Sequence, residues 1–299
     1  MNKEHAALVA LLRARPEGRN WRRLTEEVLE HDSARAVWDF YHPPQLIPSP
    51  ETEAELDAAA ADLEAWERAR MTFLAVLDMQ FPERLRDIVE TPPFLFAQGE
   101  VVPNDAGVSV VGSRKASRRG LEMATGIARH LVGAGLTVIS GLALGVDAAA
   151  HTAALEAGGR TVALIGSGLE RSYPKENEQL QAAIVERGLV LSQFWPDAPP
   201  RKQHFLMRNA LMSGYGLATI VVEAGEYSGA RAQARMAVEH GRPVILTDLV
   251  VNANAWAKAL VGRPGVYVAT GLSDIARVVQ DIRTSPYRTD EALRQLAFQ

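Results

Sequence analysis

The hydrophobic residues in the first part of the chain recur every three or four positions. This spacing holds in HAALVALLRA, WRRLTEEVLE and SARAVWDFY, and it is the period of an amphipathic helix. The stretch HPPQLIPSP interrupts the pattern, because consecutive prolines remove backbone donors and disfavour helix before them. The order Ser49-Pro50-Glu51 then predicts a new helix start, with proline in the first turn. We therefore expect a small helical region over residues 1–70.

From residue 108 onward the chain alternates between short apolar runs and helical stretches. The runs are VSVVG, LTVIS, TVALIG, LVLS, ATIVVE, PVIL and VYVA. Fully apolar runs of this length suit the strands of a parallel sheet, which is buried on both faces. Strands that alternate with helices predict an α/β fold with a doubly wound sheet.

The composition is that of an ordinary soluble globular protein. The chain has 299 residues, of which 47% are hydrophobic and 23% charged. It contains no cysteine, which excludes disulfides, thiol catalysis and cysteine metal sites. The N-terminal apolar stretch is too short and too charged for a signal peptide, and no apolar run approaches the roughly 20 residues of a membrane helix. We expect a cytoplasmic protein without a membrane partner.

The charges are segregated along the chain. A net charge of -4 argues weakly against a protein coated in nucleic acid. However, residues 51–66 are strongly acidic, whereas residues 114–119 and 201–208 are basic. A basic stripe can lie on an acidic body, so a nucleic-acid ligand stays possible.

Polar residues and glycines follow four of the predicted strands. A single glycine at a strand end commonly serves turn geometry alone. Four such loops at one sheet edge, with serine hydroxyls beside backbone amides, instead predict a phosphate-bearing ligand. The candidate phosphate-binding residues are Gly112, Ser113, Ser140, Gly141, Gly145, Gly166, Ser228 and Gly229.

Other chemistry at this edge is disfavoured. Neither the G-x-G-x-x-G fingerprint nor a Walker lysine motif occurs, which argues against ordinary NAD binding and ATP hydrolysis. Asp147 and His151 lie four residues apart, but no third ligand has suitable spacing. We expect no metal there, with Asp147 orienting a loop and His151 accepting its hydrogen bond. Glu223 is either a buried functional carboxylate or an acceptor for backbone amides in the next loop.

Several segments together resemble the DNA-processing protein DprA family, also called Smf. They are VVGSRKASRRGLEMA, VISGLALGVDAAAHTAALEAGGRTVALIGSGLERSYPKEN, RKQHFLMRNALMSG and VVEAGEYSGARAQARMAVEHGRPV. Upstream, FPERLRDIVETPPFLFAQGE is similar to the segment that precedes this fold in the family. The resemblance covers roughly residues 71–250.

The resemblance implies an extended Rossmann-like domain, here residues 71–284, with mostly parallel strands. It also implies a protein that binds and protects single-stranded DNA and assists loading of the RecA recombinase during DNA uptake. Such a protein acts as a homodimer, without known catalysis and without a cofactor. The remaining residues, 285–299, are too few for the C-terminal winged helix of many family members, and we expect a short tail.

The resemblance places several residues in or beside a basic DNA pocket. These nucleic-acid-binding candidates are Arg114, Lys115, Lys175, Arg201, Lys202, His204, Arg208 and Asn209. Single strands are held by cations along the phosphates and by stacking on aromatic rings. Tyr173 could offer such stacking, Trp195 and Phe205 are equally consistent with stacking and with packing, and packing is favoured for Phe194. Arg118 and Arg119 are expected on a solvated helix face.

The chain departs from the family pattern in the loop that begins at Ser228. The family reads Ser-Gly-Ser, an apolar residue and then a threonine, where this chain has Ser228-Gly229-Ala230-Arg231-Ala232-Gln233. A hydroxyl is thereby lost from the loop and a cation gained, and an arginine of the family pattern is lost after Asn209, where this chain has Ala210. The alternative function is therefore a sensor of nucleotide derivatives with a related fold. Hydrolysis is disfavoured, because the P-G-G-x-G-T-x-x-E loop of phosphoribohydrolases is absent. A purely structural scaffold fits the polar loops least well.

Overall fold

Nine strands form one sheet in the computed structural model, which describes residues 2–43 and 50–297 and the side chains of 2–43 and 52–284. The strand order is β1-β2-β6-β5-β4-β3-β7-β8-β9. The strands are β1 (Thr72–Ala75), β2 (Phe94–Gly99), β3 (Gly107–Val111), β4 (Thr137–Ser140), β5 (Thr161–Leu164), β6 (Leu189–Ser192), β7 (Ala218–Val221), β8 (Val244–Thr247) and β9 (Val266–Ala269). All seven predicted runs are confirmed as β3 to β9.

The sheet is parallel except at one end. Strands β3 to β9 pair with one another in parallel, whereas β2 is antiparallel to both β1 and β6. The apolar runs that predict strands begin only at residue 108, so neither β1 nor β2 was predicted. The prolines Pro92 and Pro93 directly precede β2, and these turn signals concealed that strand. The predicted doubly wound, mostly parallel α/β sheet is otherwise confirmed.

Twelve helices surround the sheet or precede it among the described residues. They are α1 (Lys3–Ala14), α2 (Trp21–His31), α3 (Ala34–Tyr41), α4 (Pro50–Arg68), α5 (Arg118–Gly133), α6 (Val146–Glu156), α7 (Glu178–Arg187), α8 (Lys202–Tyr215), α9 (Gly229–Glu239), α10 (Asp248–Ala253), α11 (Ala255–Leu260) and α12 (Leu272–Ala297). The predicted N-terminal helices are therefore present. The expected tail boundary at 285 falls inside α12, and Ser49 lies outside the described residues. None of these helices is both long and apolar enough to cross a membrane.

Side-chain caps explain where the first three helices begin. Asn2, Asn20 and Ser33 each accept a hydrogen bond from a backbone N–H in the following turn, at 2.9 to 3.0 Å. Such caps satisfy donors that have no partner inside the helix, and each is worth about 1 kcal/mol.

The sheet has a hydrophobic layer on each face. On β3, Val108 and Val110 pack with α5, α6 and α12, whereas Val111 belongs to the layer that contains α8 and α9. That second layer is continuous with α1 to α4. The N-terminal helices therefore share one core with the sheet, because their apolar faces would otherwise be left in water.

An aromatic cluster makes the junction between the N-terminal helices and the sheet. The ring of Phe94 on β2 stacks on Trp195 at 4.6 Å and meets Trp21 of α2 edge-on at 5.4 Å. Trp66 of α4 stacks on Trp195 at 5.8 Å. The cluster explains the antiparallel strands, since β2 contributes the rings on which α2 and α4 pack.

Truncating the centre of this cluster tests the junction. We expect Phe94→Ala to lower the free energy of unfolding by about 3–5 kcal/mol, because a fully buried ring is lost and a cavity is left. Phe40→Ala is the matched control, since that ring is 71% exposed, and it is expected to change stability by less than about 0.5 kcal/mol. Chemical denaturation measures both. Equal effects of the two changes would contradict a shared core.

Candidate functional site at the carboxyl edge of the sheet

The loops after β3 and β7 face each other across a cavity. Strand β3 lies between β4 and β7, so the chain winds outward in opposite directions from this point. A crevice at such a switch point is where open α/β sheets bind ligands. The cavity measures about 230 Å³ and is lined by Gly112, Ser113 and Arg114 on one side and by Ser228 and Gly229 on the other. The structure thus brings these five predicted residues together.

Two further cavities share walls with the first. A small one of about 60 Å³ is lined by Gly141, Gly166 and Tyr173, and an open one of about 560 Å³ contains Lys202 and Tyr227. Arg114 and Phe205 line all three. The three cavities form one groove along the carboxyl edge, which we call the edge groove.

The backbone around Arg114 is fixed on both sides. The N–H of Ser113 donates to the carbonyl of Glu223 at 2.7 Å, and the carbonyl of Ser113 accepts from the N–H of Val146 at 3.2 Å. Gly145 has a φ of 77°, and a Cβ there would overlap the carbonyl of Ser113. Glycine is therefore required at this close approach. The exposed Arg114 guanidinium lies over the ring of Phe205, with Cζ 5.4 Å from its centroid.

A carboxylate of the chain itself occupies the N-terminus of α5. The N–H of Ser117 donates to both carboxylate oxygens of Glu223, at 3.0 and 3.1 Å, and its hydroxyl donates at 2.7 Å. A Cβ at Gly120 would overlap the same carboxylate. Glu223 thus satisfies the helix dipole where an outside phosphate was expected. Glu223 is therefore an acceptor for the backbone, as one of its two interpretations has it, but its partner is Ser117 in the loop after β3 and not the next loop along the chain.

Arg208 is buried below the groove. Its Nη1 donates to the carbonyl oxygens of Gly141 and of Leu164, the latter at 3.0 Å. Asp147 lies beside it, and Oδ2 of Asp147 accepts from the N–H groups of Gly141 and Ala143 at 3.2 and 3.3 Å. Burial raises the pKa of Asp147, opposed by the charge of Arg208, and burial likewise lowers the pKa of Arg208. The expectation that Asp147 orients a loop is confirmed.

His151 does not pair with Asp147, so that expectation is wrong. Its Nδ1 lies 2.6 Å from the hydroxyl of Thr161, which donates its own proton to the carbonyl of Val138. Nδ1 must therefore carry the proton that Thr161 accepts. Burial lowers the pKa of His151 to about 3, and the charge of Arg208 contributes. His151 is a neutral residue of the core.

Most of the predicted cations are exposed and unpaired. Within the described part of the chain, no carboxylate lies within ion-pair distance of Arg114, Lys115, Lys175, Arg201 or Lys202. Arg114 and Lys202 line the edge groove, whereas the other three lie outside its walls. By contrast, Arg118 pairs with Glu122 at 2.8 Å and Arg119 with Asp248 at 2.7 Å, as a solvated helix face predicts.

The predicted serines differ in where their hydroxyls point. Ser140 is buried and its hydroxyl donates to the carbonyl of Val110 at 2.7 Å, so it does not reach the groove. The hydroxyl oxygen of Ser113 accepts from the N–H of Lys115, and that of Ser228 caps α9. Ser113 and Ser228 still line the cavity of about 230 Å³.

The predicted aromatics divide into packing and groove residues. Phe194 is buried and stacks on His204 at 4.0 Å, and burial lowers the pKa of His204. Trp195 belongs to the aromatic cluster with Phe94. In contrast, Tyr173 is half-exposed, and its ring lies 5.6 Å from that of Phe205. Tyr173 and Phe205 are therefore the predicted rings that a ligand in the groove would meet.

Two residues of the groove were not predicted as ligand contacts. Tyr227 is 95% exposed at the open end, and Gln233 of α9 lines the cavity of about 230 Å³. Asn209 also lines it and donates to the carbonyl of Gly229 at 3.3 Å. Gln233 lies in the segment after β7 where this chain departs from the family pattern, and that departure is the signal that could have identified it.

Comparisons with known proteins give a consistent result. The sequence profile of the family described as DNA recombination-mediator protein A matches residues 72–277. The DNA processing protein DprA of Streptococcus pneumoniae is 40% identical over 171 residues, which cover 57% of this chain and 60% of that protein. Overall, the chain spans about half to three-fifths of the length of the curated relatives that it matches first.

Two solved structures share the fold. The X-ray structure of DprA from Streptococcus pneumoniae superimposes with a TM-score of 0.69 at 28% identity, covering 92% of this chain and 97% of that one. The structure of DNA processing protein A from Helicobacter pylori gives a TM-score of 0.62 at 24% identity, covering 71% and 96% of the two chains. The latter is described as having a unique single-stranded DNA binding mode.

The buried charges below the groove can be tested by a double-mutant cycle. Arg208→Met leaves the Asp147 carboxyl and two strand-end carbonyls without their cation, and we expect it to cost about 3–5 kcal/mol of stability. Combining it with Asp147→Asn is expected to cost less than the two single changes summed. Chemical denaturation of the four proteins measures the coupling. Strictly additive losses would show that the two groups do not interact.

The neutral state of His151 predicts a pH dependence of stability. The unfolded chain takes up a proton near pH 6.5, whereas the folded chain does so only near pH 3. Stability from this residue is therefore complete above pH 6.5 and is lost as the pH falls toward 3, with about 2 kcal/mol lost at pH 5.

NMR of the imidazole nitrogens is the direct measurement. We expect the Nδ1–H tautomer of His151 at pH 5, with a His151→Phe variant identifying its resonances. An imidazole that titrates near pH 6 in the folded protein would contradict this assignment.

Proposed function

The chain belongs to the DNA recombination-mediator protein A family, and on that premise we propose that it binds single-stranded DNA along the edge groove. The observation that carries this proposal is that the exposed Arg114, which has no carboxylate partner among the described residues, lies over the ring of Phe205 in one groove. Cations along the phosphates and rings under the bases are what single-strand recognition requires.

The groove offers both kinds of contact side by side. Arg114 and Lys202 supply charge for the phosphates, and Tyr173, Phe205 and Tyr227 supply ring surface. Stacking on aromatic rings is worth about 1–3 kcal/mol per base and tolerates any sequence. Lys115, Lys175 and Arg201 are exposed and lie within two residues of Arg114, Tyr173 and Lys202 in the sequence. We propose that they extend the cationic path beyond the groove.

The Helicobacter pylori protein supports the proposal, because its fold is shared and it is described by its single-stranded DNA binding. We extend the family expectation to this chain. We propose that it protects the single-stranded DNA that it binds, assists a RecA-type recombinase and carries out no catalysis. We further propose that it forms a homodimer and is located in the cytoplasm. Each of these is a proposal for the whole protein.

The salt dependence of binding gives the sharpest test. We expect wild-type protein to bind a labelled single-stranded oligonucleotide more tightly than the duplex, with affinity that falls steeply as salt rises. Arg114→Ala/Lys202→Ala removes two phosphate contacts, so the slope of log K against log salt is expected to become shallower by about 1.4, or 0.7 per contact. Fluorescence anisotropy across a salt series measures both quantities.

The matched control removes two cations from the opposite edge of the sheet. Arg129 and Arg187 lie near the C-termini of α5 and α7 and are exposed. Arg129→Ala/Arg187→Ala is expected to leave the slope unchanged. If both double variants reduced the slope equally, net charge and not the edge groove would account for binding. Absence of oligonucleotide binding, with a melting-temperature rise for one nucleotide, would favour the nucleotide sensor instead.

A further inference from the structure

Glu223 holds both ends of the loop that carries Arg114. At one end, the N–H of Ser113 donates to the main-chain carbonyl of Glu223 at 2.7 Å. At the other end, Ser117 donates its N–H and its hydroxyl to the carboxylate, at 2.7 to 3.1 Å. Glu223 follows β7, the strand whose loop contributes Ser228 to the facing wall of the edge groove. One residue on the β7 side therefore fixes the loop on the β3 side.

Gly120 leaves the space that this carboxylate occupies. It lies buried in the first turn of α5, and a Cβ there would overlap Oε2 of Glu223. The hydroxyl oxygen of Ser117 also accepts from the N–H of Gly120 at 3.1 Å. By contrast, a Cβ at Gly126 of the same helix would meet only the end of the Leu272 side chain, at 4.0 Å. The absence of a side chain at position 120 thus serves the carboxylate and not the helix.

The charge of Glu223 and its position act on an anionic ligand in opposite directions. A carboxylate beside an anion-binding groove repels phosphates and weakens binding. However, the Arg114 side chain is long and exposed, so its reach is set by the backbone beneath it, and ordering a mobile loop on binding costs conformational entropy. A loop that Glu223 already holds keeps the Arg114 guanidinium over the ring of Phe205, with Cζ 5.4 Å from its centroid. The sign of the effect of displacing the carboxylate therefore distinguishes the two roles.

We propose that Glu223 is a positioning residue of the DNA site, which acts on the ligand through Arg114. The inference rests on the proposed function and adds the group that holds its chief cation in place. Glu223 makes its contacts with Ser117 and Gly120 and lies outside the walls of the three cavities that form the edge groove. Its effect on the DNA is therefore indirect. Displacing the carboxylate weakens binding as removing the Arg114 guanidinium does.

The variant Gly120→Ala displaces the carboxylate and leaves its charge in the protein. We expect its affinity for a labelled single-stranded oligonucleotide to fall about 10- to 100-fold, as for Arg114→Ala, because a charged contact to a phosphate is lost. The slope of log K against log salt is expected to become shallower by about 0.7. Gly126→Ala is the matched control in the same helix and is expected to bind as wild type does. Fluorescence anisotropy across a salt series measures all four proteins.

The variant Glu223→Gln removes the charge instead. An amide offers Ser117 one acceptor oxygen in place of two, so we expect this variant to bind single strands less tightly than wild type as well. If Glu223 acted through repulsion alone, its neutralisation would make binding tighter. The two variants thus change the charge differently and the position alike.

A double-mutant cycle separates positioning from a general loss of structure. Adding Arg114→Ala to Gly120→Ala is expected to weaken binding by less than about 2-fold more, because the guanidinium is already displaced. Adding Lys202→Ala is expected to weaken binding as much as it does in wild type, since Lys202 is on α8 and not on the loop that Glu223 holds. The melting temperature of each variant is measured alongside. If Gly120→Ala does not fold, the same cycle is carried out on Glu223→Gln.

The outcomes separate this inference from the proposed function. Wild-type protein that binds no oligonucleotide, or an Arg114→Ala variant that binds as wild type does, overturns the proposed function and this inference with it. Folded Gly120→Ala and Glu223→Gln variants that bind at wild-type strength or more tightly, beside a weakened Arg114→Ala, overturn the inference alone. Fully additive losses from Gly120→Ala and Arg114→Ala also overturn it, because Glu223 would then act on binding independently of Arg114.

Discussion

The guanidinium of Arg208 is the group around which the carboxyl edge of the sheet is arranged. An arginine stays protonated in proteins, so its burial is stabilised by acceptors around the guanidinium. Its Nη1 donates to the carbonyls of Gly141 and Leu164, at the ends of β4 and β5, and the carboxyl of Asp147 lies nearby. Gly141 has no room for a side chain, because a Cβ would overlap the guanidinium. Helix α8, which carries Arg208, is thereby fixed against two strand ends. Phe205, one turn earlier, is then held where Arg114 can lie over it.

A second internal charge decides where an outside anion can bind. The N-terminus of α5 would attract a phosphate, but the carboxylate oxygens of Glu223 already accept hydrogen bonds from the N–H of Ser117 there. Placing a phosphate at the same amides would bring two anions together. In the proposed complex, phosphate contacts therefore fall to side chains, chiefly Arg114, whose loop is held by the hydrogen bond from the N–H of Ser113 to the carbonyl of Glu223. Side-chain contacts of this kind suit the sequence-tolerant binding of a nucleic-acid backbone that we propose.

Much of this was predictable from residue patterns, and the limits have physical reasons. Strands β3 to β9 were predictable because strands buried on both faces are apolar throughout, whereas β1 and β2 lie among prolines that signal turns. The convergence of Gly112 to Arg114 with Ser228 and Gly229 followed from the sheet, since parallel strands end at one edge. The direction of a hydroxyl did not follow, as Ser140 shows. Nor did the burial of a cation: Arg208 and Arg201 belong to one basic stretch, yet the helix turns one into the core and the other to solvent.

The acidic net charge and an anionic ligand are compatible for the same local reason. Exposed carboxylates elsewhere on the chain pair with neighbouring arginines on the same helix, as Glu122 does with Arg118, and such pairs project little field beyond about 10 Å at moderate salt. The cations of the edge groove have no such partners among the described residues, so their charge is available to a ligand. The exposed cations of the edge groove therefore provide attraction without selection for sequence.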